Sequence, residues 1–560
     1  MTMPLLHSPI STIDADIIDA GIIGIIGAGT MGIGIAQVAA QAGHSVLLFD
    51  VNSEASSHAL DNLRARLRQR VEAGKAEADA TELLLKRITR VDSLQTLAPC
   101  ALVIEAIVEQ LEAKQDLFRQ LDAICPAQTL FASNTSSLSI TAIARVLSSP
   151  QRMAGLHFFN PAPLMKLVEI VQGLETSPQT VTTLKMLATN WKKQPVICRS
   201  SPGFIVNRIA RPFYAEALRA LEEQVASPAT LDTVMKESGG FAMGPLQLTD
   251  LIGHDVNYAV TESLFHAFHN DPRFQPSLRQ KELVDAGHLG RKRGRGFYLY
   301  NMQGNNVQGN SGKKEAQPLP KIEPKQSKEK KQPTRLKATG NWAALPHFVS
   351  LLQKPKLQQY GIVFEEGKND RFHSPTLHID DIILTLTKGR TCAQLADEVR
   401  VPVMQFDLSA NHLSAPVITL STACQNTPHQ TAKVVGFLQS LGKQVILLPD
   451  YPALLTMRTV AMLCNEALDA LNKGLASAED IDLAMLDGVN YPIGPLAWGE
   501  QLGWKHILST LENLQKFYGE PRYRPAPLLR QLAADHAKLQ LHGQHENYNE
   551  NHNKESADAR

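Results

Sequence analysis

The chain repeats itself. Moved by 250 positions along its 560-residue length, Lys193-Gln194 falls on Lys443-Gln444 and Pro202 on Pro452. Arg208 falls on Arg458, Glu216-Ala217-Leu218 on Glu466-Ala467-Leu468, Ala226-Ser227 on Ala476-Ser477, Asp232 on Asp482, Met235 on Met485, and Gly244-Pro245-Leu246 on Gly494-Pro495-Leu496. Apolar periodicity predicts helices over 205–221, 228–238 and 255–268, so a helical module occurs twice. A chain of this length exceeds a single core and divides into several domains.

Ahead of the first copy the pattern differs. Apolar runs at 21–26, 44–49, 101–104, 130–132, 153–157 and 166–171 read as strands, with helical stretches at 33–42 and 54–74 between the first of them. Such alternation argues for a parallel, doubly wound sheet. Residues 303–337 are rich in Lys, Gln, Pro, Glu, Ser and Gly and hold no aromatic. A segment of that kind buries too little apolar surface to offset its ordering entropy, so it reads as a linker whose basic run is solvated. Residues 345–449 carry strand-like runs at 382–386 and 417–420 without a glycine fingerprint, as expected of a reduced α/β piece lacking a nucleotide site. The expected boundaries are 1–19 for an N-terminal extension, 20–201 for the α/β domain, 202–300 for the first helical domain and 301–340 for the linker. The reduced α/β segment follows at 341–449, the second helical domain at 450–538 and a polar tail at 539–560.

Basic and acidic residues nearly cancel at +1, which disfavours nucleic acid as a partner. The six cysteines form no Cys-x-x-Cys pair, so neither zinc nor a disulfide framework is indicated and no metal is expected. No run approaches the roughly 18 apolar residues of a membrane span, and no secretory signal is visible. A cytoplasmic setting without membrane contact is the expectation.

Gly27-Ala28-Gly29-Thr30-Met31-Gly32 follows the first predicted strand and opens a helix. Gly27 permits the tight turn, Gly29 lets backbone approach a pyrophosphate, and Gly32 lets helix and strand close. Asp50 ends the second predicted strand, where a carboxylate accepts from ribose hydroxyls and repels a 2′-phosphate. No arginine follows in Val51-Asn52, so NAD is the expected cofactor.

His157 lies in HFFNP, and Glu169 follows twelve positions later. An alcohol oxidation needs a base for the hydroxyl proton and a group to hold that base, and this pair can supply both. SNTSS at 133–137 and PGFIVNR at 202–208 frame it.

With GAGTMGIGIAQVAA and EAIVE, these motifs make residues 20–300 resemble the short-chain 3-hydroxyacyl-CoA dehydrogenases. The resemblance implies an α/β chain: an N-terminal Rossmann domain, an all-α dimerisation-type domain, a linker, a reduced α/β segment and a second copy of the all-α domain. It implies an acyl-CoA substrate, His157 as base, Glu169 as its partner, and Ser136 and Asn207 on the substrate oxygens. By the same likeness Glu109, Lys114, Ser136 and Asn160 border the ribose and nicotinamide. The whole chain, with NYPIGPLAWGEQLGW at 490–504, is similar to members acting on 3-hydroxyadipyl-CoA in phenylacetate breakdown. 3-Hydroxybutyryl-CoA is the alternative substrate, and a non-catalytic NAD-binding protein the alternative of another class.

Two arginine positions bear on the substrate. Arg68 belongs to a basic helix tail, with Arg64, Arg66 and Arg70, that can meet coenzyme A phosphates. Arg211, one helical turn after Asn207, can pair with the terminal carboxylate of an adipyl chain. In the second copy Asn207 becomes Met457, and extending the offset puts His157 on Asp407 and Glu169 on Thr419. That copy is therefore expected to be inactive and to pack on the first helical domain, as a pseudo-dimer within one chain. Homo-oligomerisation is also open.

Overall fold

A computed structural model describes residues 21–301, 333–365, 374–535 and 539. It divides into two units: the chain up to Val206 together with Gly474–Gly488, and Asn207–Lys473 together with the chain from Val489.

The first unit holds an eight-stranded sheet. Its strands are β1 (Ile22–Ile26), β2 (Val46–Phe49), β3 (Ile88–Val91), β4 (Cys100–Glu105), β5 (Leu130–Ser133), β6 (Met153–Phe158), β7 (Leu167–Gln172) and β8 (Gln194–Arg199), in the order β3-β2-β1-β4-β5-β6-β7-β8. Runs such as IIGII and VLLF are apolar on both faces because the sheet is covered on both, here by helices that include α1 (Thr30–Ala42), α2 (Ser53–Glu72) and α3 (Leu111–Ile124). One expectation fails: β7 runs antiparallel to β6, so the sheet is mixed. That reversal sets His157 opposite Glu169 in the register. Residues 474–488 join this unit, where Arg199 N donates to Leu475 O at 2.9 Å and Ile197 N to Asp480 Oδ2 at 3.2 Å.

The second unit begins with helical copy one, whose main helices are α4 (Arg211–Glu222) and α5 (His254–Ala267). The expected single helix over 205–221 is instead two, Val206–Ile209 and α4. Pro212 has no N–H to donate and its ring crowds the carbonyl four residues back, so the ladder breaks there. After α5 the chain forms isolated bridges, Gly290 to Arg295 and Arg295 to Leu299.

A second sheet follows, with strands β9 (Leu336–Thr339), β10 (Phe364–Glu365), β11 (Thr376–Ile379), β12 (Ile382–Leu386), β13 (Val403–Phe406), β14 (Val417–Thr422) and β15 (Gln444–Leu447). Their order is β10-β9-β11-β12-β13-β14-β15, with α6 (Cys392–Val399) between β12 and β13. β9 lies in the stretch expected to be linker. Leu336 and Ala338 turn inward while Lys337 and Thr339 do not, and pairing with β11 fixes the strand. Residues 302–332 of that linker, the N-terminal extension, and the polar tail beyond Leu539 lie outside the described residues.

Helical copy two contributes α7 (Thr456–Asn472) and α8 (Trp504–Tyr518). Met462 stands where copy one has Pro212, and α7 is unbroken. α7 lies against α4. Between the copies Arg208 donates to Glu466 Oε1 at 2.7 Å and Asp469 Oδ2 at 2.6 Å, and Arg273 donates to Glu466 Oε2 at 2.9 Å. No described helix is long and apolar enough to cross a membrane.

Candidate active site

The glycine loop joins β1 to α1. Gly27 has φ +99°, and a Cβ there would meet the Ala106 carbonyl oxygen at 2.5 Å. A Cβ on Gly32 would fall 1.8 Å from the Gly27 oxygen, so helix and strand touch backbone to backbone. Gly29 is the contrast: it is exposed, with nothing within 4 Å of its Cβ position. Thr30 and Met31 open α1, and no side chain caps that end. A helix end with free N–H groups beside an open glycine cradle suits a pyrophosphate. Asp50 accepts from Ala28 N at 2.7 Å and from Asn52 N at 2.9 Å. It fixes the loop, and a carboxylate with four lone-pair sites still has capacity for ribose hydroxyls.

Across the sheet, a second carboxylate organises the SNTSS turn. Glu109 Oε1 accepts from Thr135 Oγ1 at 2.7 Å, Ser136 N at 2.9 Å and Ser137 N at 3.1 Å, and from the Ser136 and Ser137 hydroxyls at 3.3 and 3.0 Å. Its other oxygen faces Lys114 Nζ at 3.3 Å. Partial burial raises the carboxyl, but the Lys114 charge and these hydrogen bonds outweigh it and hold Glu109 below the usual carboxylate range. Lys114 is itself enclosed, at 2.6 Å from Glu105 Oε1. Glu105 also accepts from Ser133 Oγ at 2.6 Å and from Ile107 N at 2.7 Å. Lys114 therefore bridges two carboxylates.

His157, buried between Phe159 and Phe204, sets Nδ1 2.6 Å from Glu169 Oε2. With Nδ1 engaged by a carboxylate, Nε2 keeps its lone pair for a proton. The other Glu169 oxygen accepts from Ile205 N and Val206 N, both at 3.0 Å. One fully buried carboxylate thus orients the imidazole and closes the turn after Pro202.

Sequence reasoning missed three contributors. Glu105 is a buried acid at a strand end, Thr135 braces Glu109, and Asn134 Oδ1 accepts from Phe158 N at 2.8 Å, tying the SNTSS turn to β6. The signal for the first two was the doubled glutamate of EAIVE beside a hydroxyl run. Asn160 is exposed just past β6. Arg68 is exposed on α2, 3.5 Å from Glu82, so that position is held by a surface pair.

In the second unit Asn207 lies in the short helix before α4, and Arg211 Nε donates to its carbonyl at 2.8 Å. Arg211 Nη1 donates to Thr261 at 3.1 Å, and the guanidinium lies 4.8 Å from the Tyr214 ring centre. All three partners are uncharged, and burial pulls this guanidinium below its ordinary pKa. It lines a cavity of about 180 Å³ with Tyr214, Asn257, Thr261 and Gln280.

The same unit shows what stands at the matching position of the second copy. Asp407 N donates to Thr419 O at 2.9 Å, so the two stand opposite each other as His157 and Glu169 do. Asp407 Oδ2 accepts from Leu455 N at 3.1 Å and Thr456 N at 2.8 Å, and Oδ1 accepts from Met457 N at 2.9 Å. The carboxylate that closes this turn has moved from the β7 position to the β6 position, and no imidazole remains. Among the described residues no cluster of His, Cys, Asp and Glu is fit to hold a metal.

One sheet thus carries a glycine loop suited to a dinucleotide after β1 and a carboxylate-held imidazole on β6. Residues 22–201 match the family model for the 3-hydroxyacyl-CoA dehydrogenase NAD binding domain, and residues 203–300 and 455–548 match its C-terminal domain. Residues 384–452 match a 3-hydroxybutyryl-CoA dehydrogenase reduced Rossmann-fold domain. The chain is 48% identical over 511 residues to the 3-hydroxyadipyl-CoA dehydrogenase of Escherichia coli K12, covering 91% of this chain and 97% of that protein. It is 44% identical to a probable 3-hydroxybutyryl-CoA dehydrogenase of Bacillus subtilis, over 49% of this chain and 96% of that one. A crystal structure of a 3-hydroxybutyryl-CoA dehydrogenase from Escherichia coli K12 matches with a TM-score of 0.80 at 46% identity, covering 92% and 98% of the two chains. The chain belongs to the 3-hydroxyacyl-CoA dehydrogenase family. It is an NAD-dependent oxidoreductase acting on the CH–OH group of an acyl-CoA.

Proposed function

We propose that the substrate is 3-hydroxyadipyl-CoA, oxidised at C3 to the 3-oxo thioester, with His157 as base. The 2.6 Å contact between His157 Nδ1 and Glu169 carries the chemical part of this reading. NAD, when bound, accepts the hydride that leaves C3. His157 Nε2 takes the hydroxyl proton, and Glu169 stabilises the imidazolium that forms. Ser136 and Asn207 hold the substrate oxygens, keeping C3 in place for transfer. Gly27, Gly29, Thr30, Met31, Gly32 and Asp50 receive the dinucleotide; Glu109, Lys114 and Asn160 border its ribose and nicotinamide, Glu109 chiefly by holding the Ser136 turn.

Arg211 carries the choice of acyl chain. It is a buried guanidinium whose partners are neutral, so it has an unspent preference for a carboxylate. The near-full-length likeness to a protein named for 3-hydroxyadipyl-CoA supports the same choice, whereas the crystal structure at 46% identity favours 3-hydroxybutyryl-CoA as the second reading. Initial rates followed by NADH absorbance separate them. Arg211→Ala is expected to lose activity on 3-hydroxyadipyl-CoA and keep it on 3-hydroxybutyryl-CoA; equal losses on both would overturn the assignment.

The second helical copy takes the place of a partner subunit, its α7 standing where a second copy of α4 would lie. Deleting residues 340–560 is expected to lower both melting temperature and activity. Truncation without effect on either would count against that role.

A further inference from the structure

The second copy holds a cavity of about 250 Å³ between its sheet and α8. Hydrogen bonds and close packing build its wall. Asn513 Nδ2 donates to the Lys388 carbonyl at 2.7 Å and His506 Nε2 contacts the Thr387 carbonyl at 3.2 Å. Gly389, at φ +86°, lies so close to α8 that a Cβ would meet the Thr510 oxygen at 2.6 Å.

Two buried groups on its wall lack partners. Gln405 is fully buried; its Oε1 accepts from Cys392 Sγ at 3.7 Å, but Nε2 has no acceptor. The Ser374 hydroxyl is 2% exposed and equally unpartnered. An orphaned buried donor costs the full desolvation of that group unless something accepts from it. Both line this one cavity, so a single acceptor-rich ligand would satisfy both.

The loop on its rim indicates the charge of that ligand. The β5–β6 register pairs Phe131 with Met153, and the β12–β13 register pairs Ile383 with Val403. Ser139 and Thr391 both cap the helix that follows. Ser136-Ser137-Leu138 of the first copy thus correspond to Lys388-Gly389-Arg390 in the second. A hydroxyl turn has been rebuilt as a cationic one, with Lys388 and Arg390 both lining the cavity. Arg390 is shared with Glu398 at 2.5 Å, and Glu512, the carboxylate among the described residues of the wall, is engaged by Arg530 at 2.6 Å. The volume lies below the ~300–1,000 Å³ of sites that take drug-sized ligands, so the whole of coenzyme A does not fit.

We propose that this cavity binds a small anion, whose carboxylate or phosphate oxygens accept from Gln405 and Ser374 beside the Lys388 and Arg390 charges. Isothermal titration calorimetry of the full chain tests it, with inorganic phosphate and adipate as separate probes. Saturable binding of one of them is expected, and which one names the source. Lys388→Met and Gln405→Leu should each weaken that binding about tenfold or more, as loss of a hydrogen bond to a charged group does. Both lie outside the catalytic machinery, so kcat on 3-hydroxyacyl-CoA should not change, which also separates this site from an anion held by Arg211. The Lys388→Met variant keeps the test valid if Gln405→Leu folds poorly. Absence of saturable binding by either probe, or binding that survives both substitutions undiminished, would overturn the proposal.

Discussion

Arg208 and Glu466 stand 258 positions apart in the chain and meet as a buried ion pair at 2.7 Å. Their counterparts in the other copies, Arg458 and Glu216, lie 3.7 Å apart. Residue i of one copy meets j of the other, and the reverse also holds, which is how an isologous interface is built. The reciprocity is incomplete: Arg208 also reaches Asp469, whose counterpart is Arg219, and Arg219 turns instead to Glu520 at 2.7 Å.

Glu466 neutralises two buried guanidiniums, Arg208 and Arg273. Glu466→Ala should therefore cost about 1–3 kcal/mol, the cost of lost buried acceptors, because Asp469 still faces both guanidiniums and Asp271 still faces Arg273. Adding Arg208→Met to it should cost less than the sum of the single changes. Urea denaturation of the four proteins of the cycle checks this; simple additivity would show that the pair is not coupled.

Glu169 has two duties, and substitutions should separate them. In Glu169→Gln the amide oxygen can still accept from Ile205 N and Val206 N, but the NH2 then faces His157 Nδ1 and forces the proton onto Nε2. We expect kcat to fall by about 10²–10⁴-fold with little change in melting temperature. Glu169→Ala should lose the turn as well, at a further cost of about 1–3 kcal/mol. Steady-state rates and urea midpoints measured together discriminate the two effects.

Two of the fingerprint glycines, Gly32 and Gly29, should not respond alike. Gly32→Ala puts a methyl 1.8 Å from the Gly27 oxygen, so the first unit should melt early or fail to fold. Gly29→Ala meets nothing, so its melting temperature should match the parent while NADH binding, read by fluorescence, weakens about tenfold or more, or ~1.4 kcal/mol. Unaltered NADH affinity in Gly29→Ala would argue against a pyrophosphate at that cradle.

His506 gives a pH signature. Burial, with the Lys388 charge adding to it, pulls its pKa from 6.5 down to about 3. The unfolded chain takes up a proton near 6.5 and the folded chain does not until about 3. Its stabilising contribution is thus complete above pH 6.5 and is lost as pH falls from there, by up to about 1.4 kcal/mol per pH unit. His506→Gln should lose less stability than the parent between about pH 7.5 and pH 5. Parallel losses in chemical denaturation would contradict this.

How far the sequence is legible follows from what each feature depends on. The glycine loop is legible because each of its glycines answers a local backbone demand. The nearness of His157 to Glu169 is suggested by their spacing, but the reversal of β7 that creates it is not, since an apolar run carries no strand direction. Pro212 does announce the break before α4, yet an unbroken apolar period over 205–221 outweighs it on paper. β9 is hidden because four alternating residues sit beside a charged stretch, and only pairing with β11 makes them a strand. Glu105 and Asp407 are illegible for a related reason: a buried acid looks like a surface residue until its remote donors, Ser133 for the one and Leu455–Met457 for the other, are known.

Asp407 has a consequence for the history of the second copy. The carboxylate that holds the start of α7 occupies the very position an imidazole would need. Replacing Asp407 by His would take the carboxylate acceptor away from four backbone N–H donors, those of Leu408, Leu455, Thr456 and Met457, before any base could act. Thr419 would first have to become an acid able to take over the turn. A carboxylate-held imidazole at this position therefore needs two coordinated substitutions, one at Asp407 and one at Thr419.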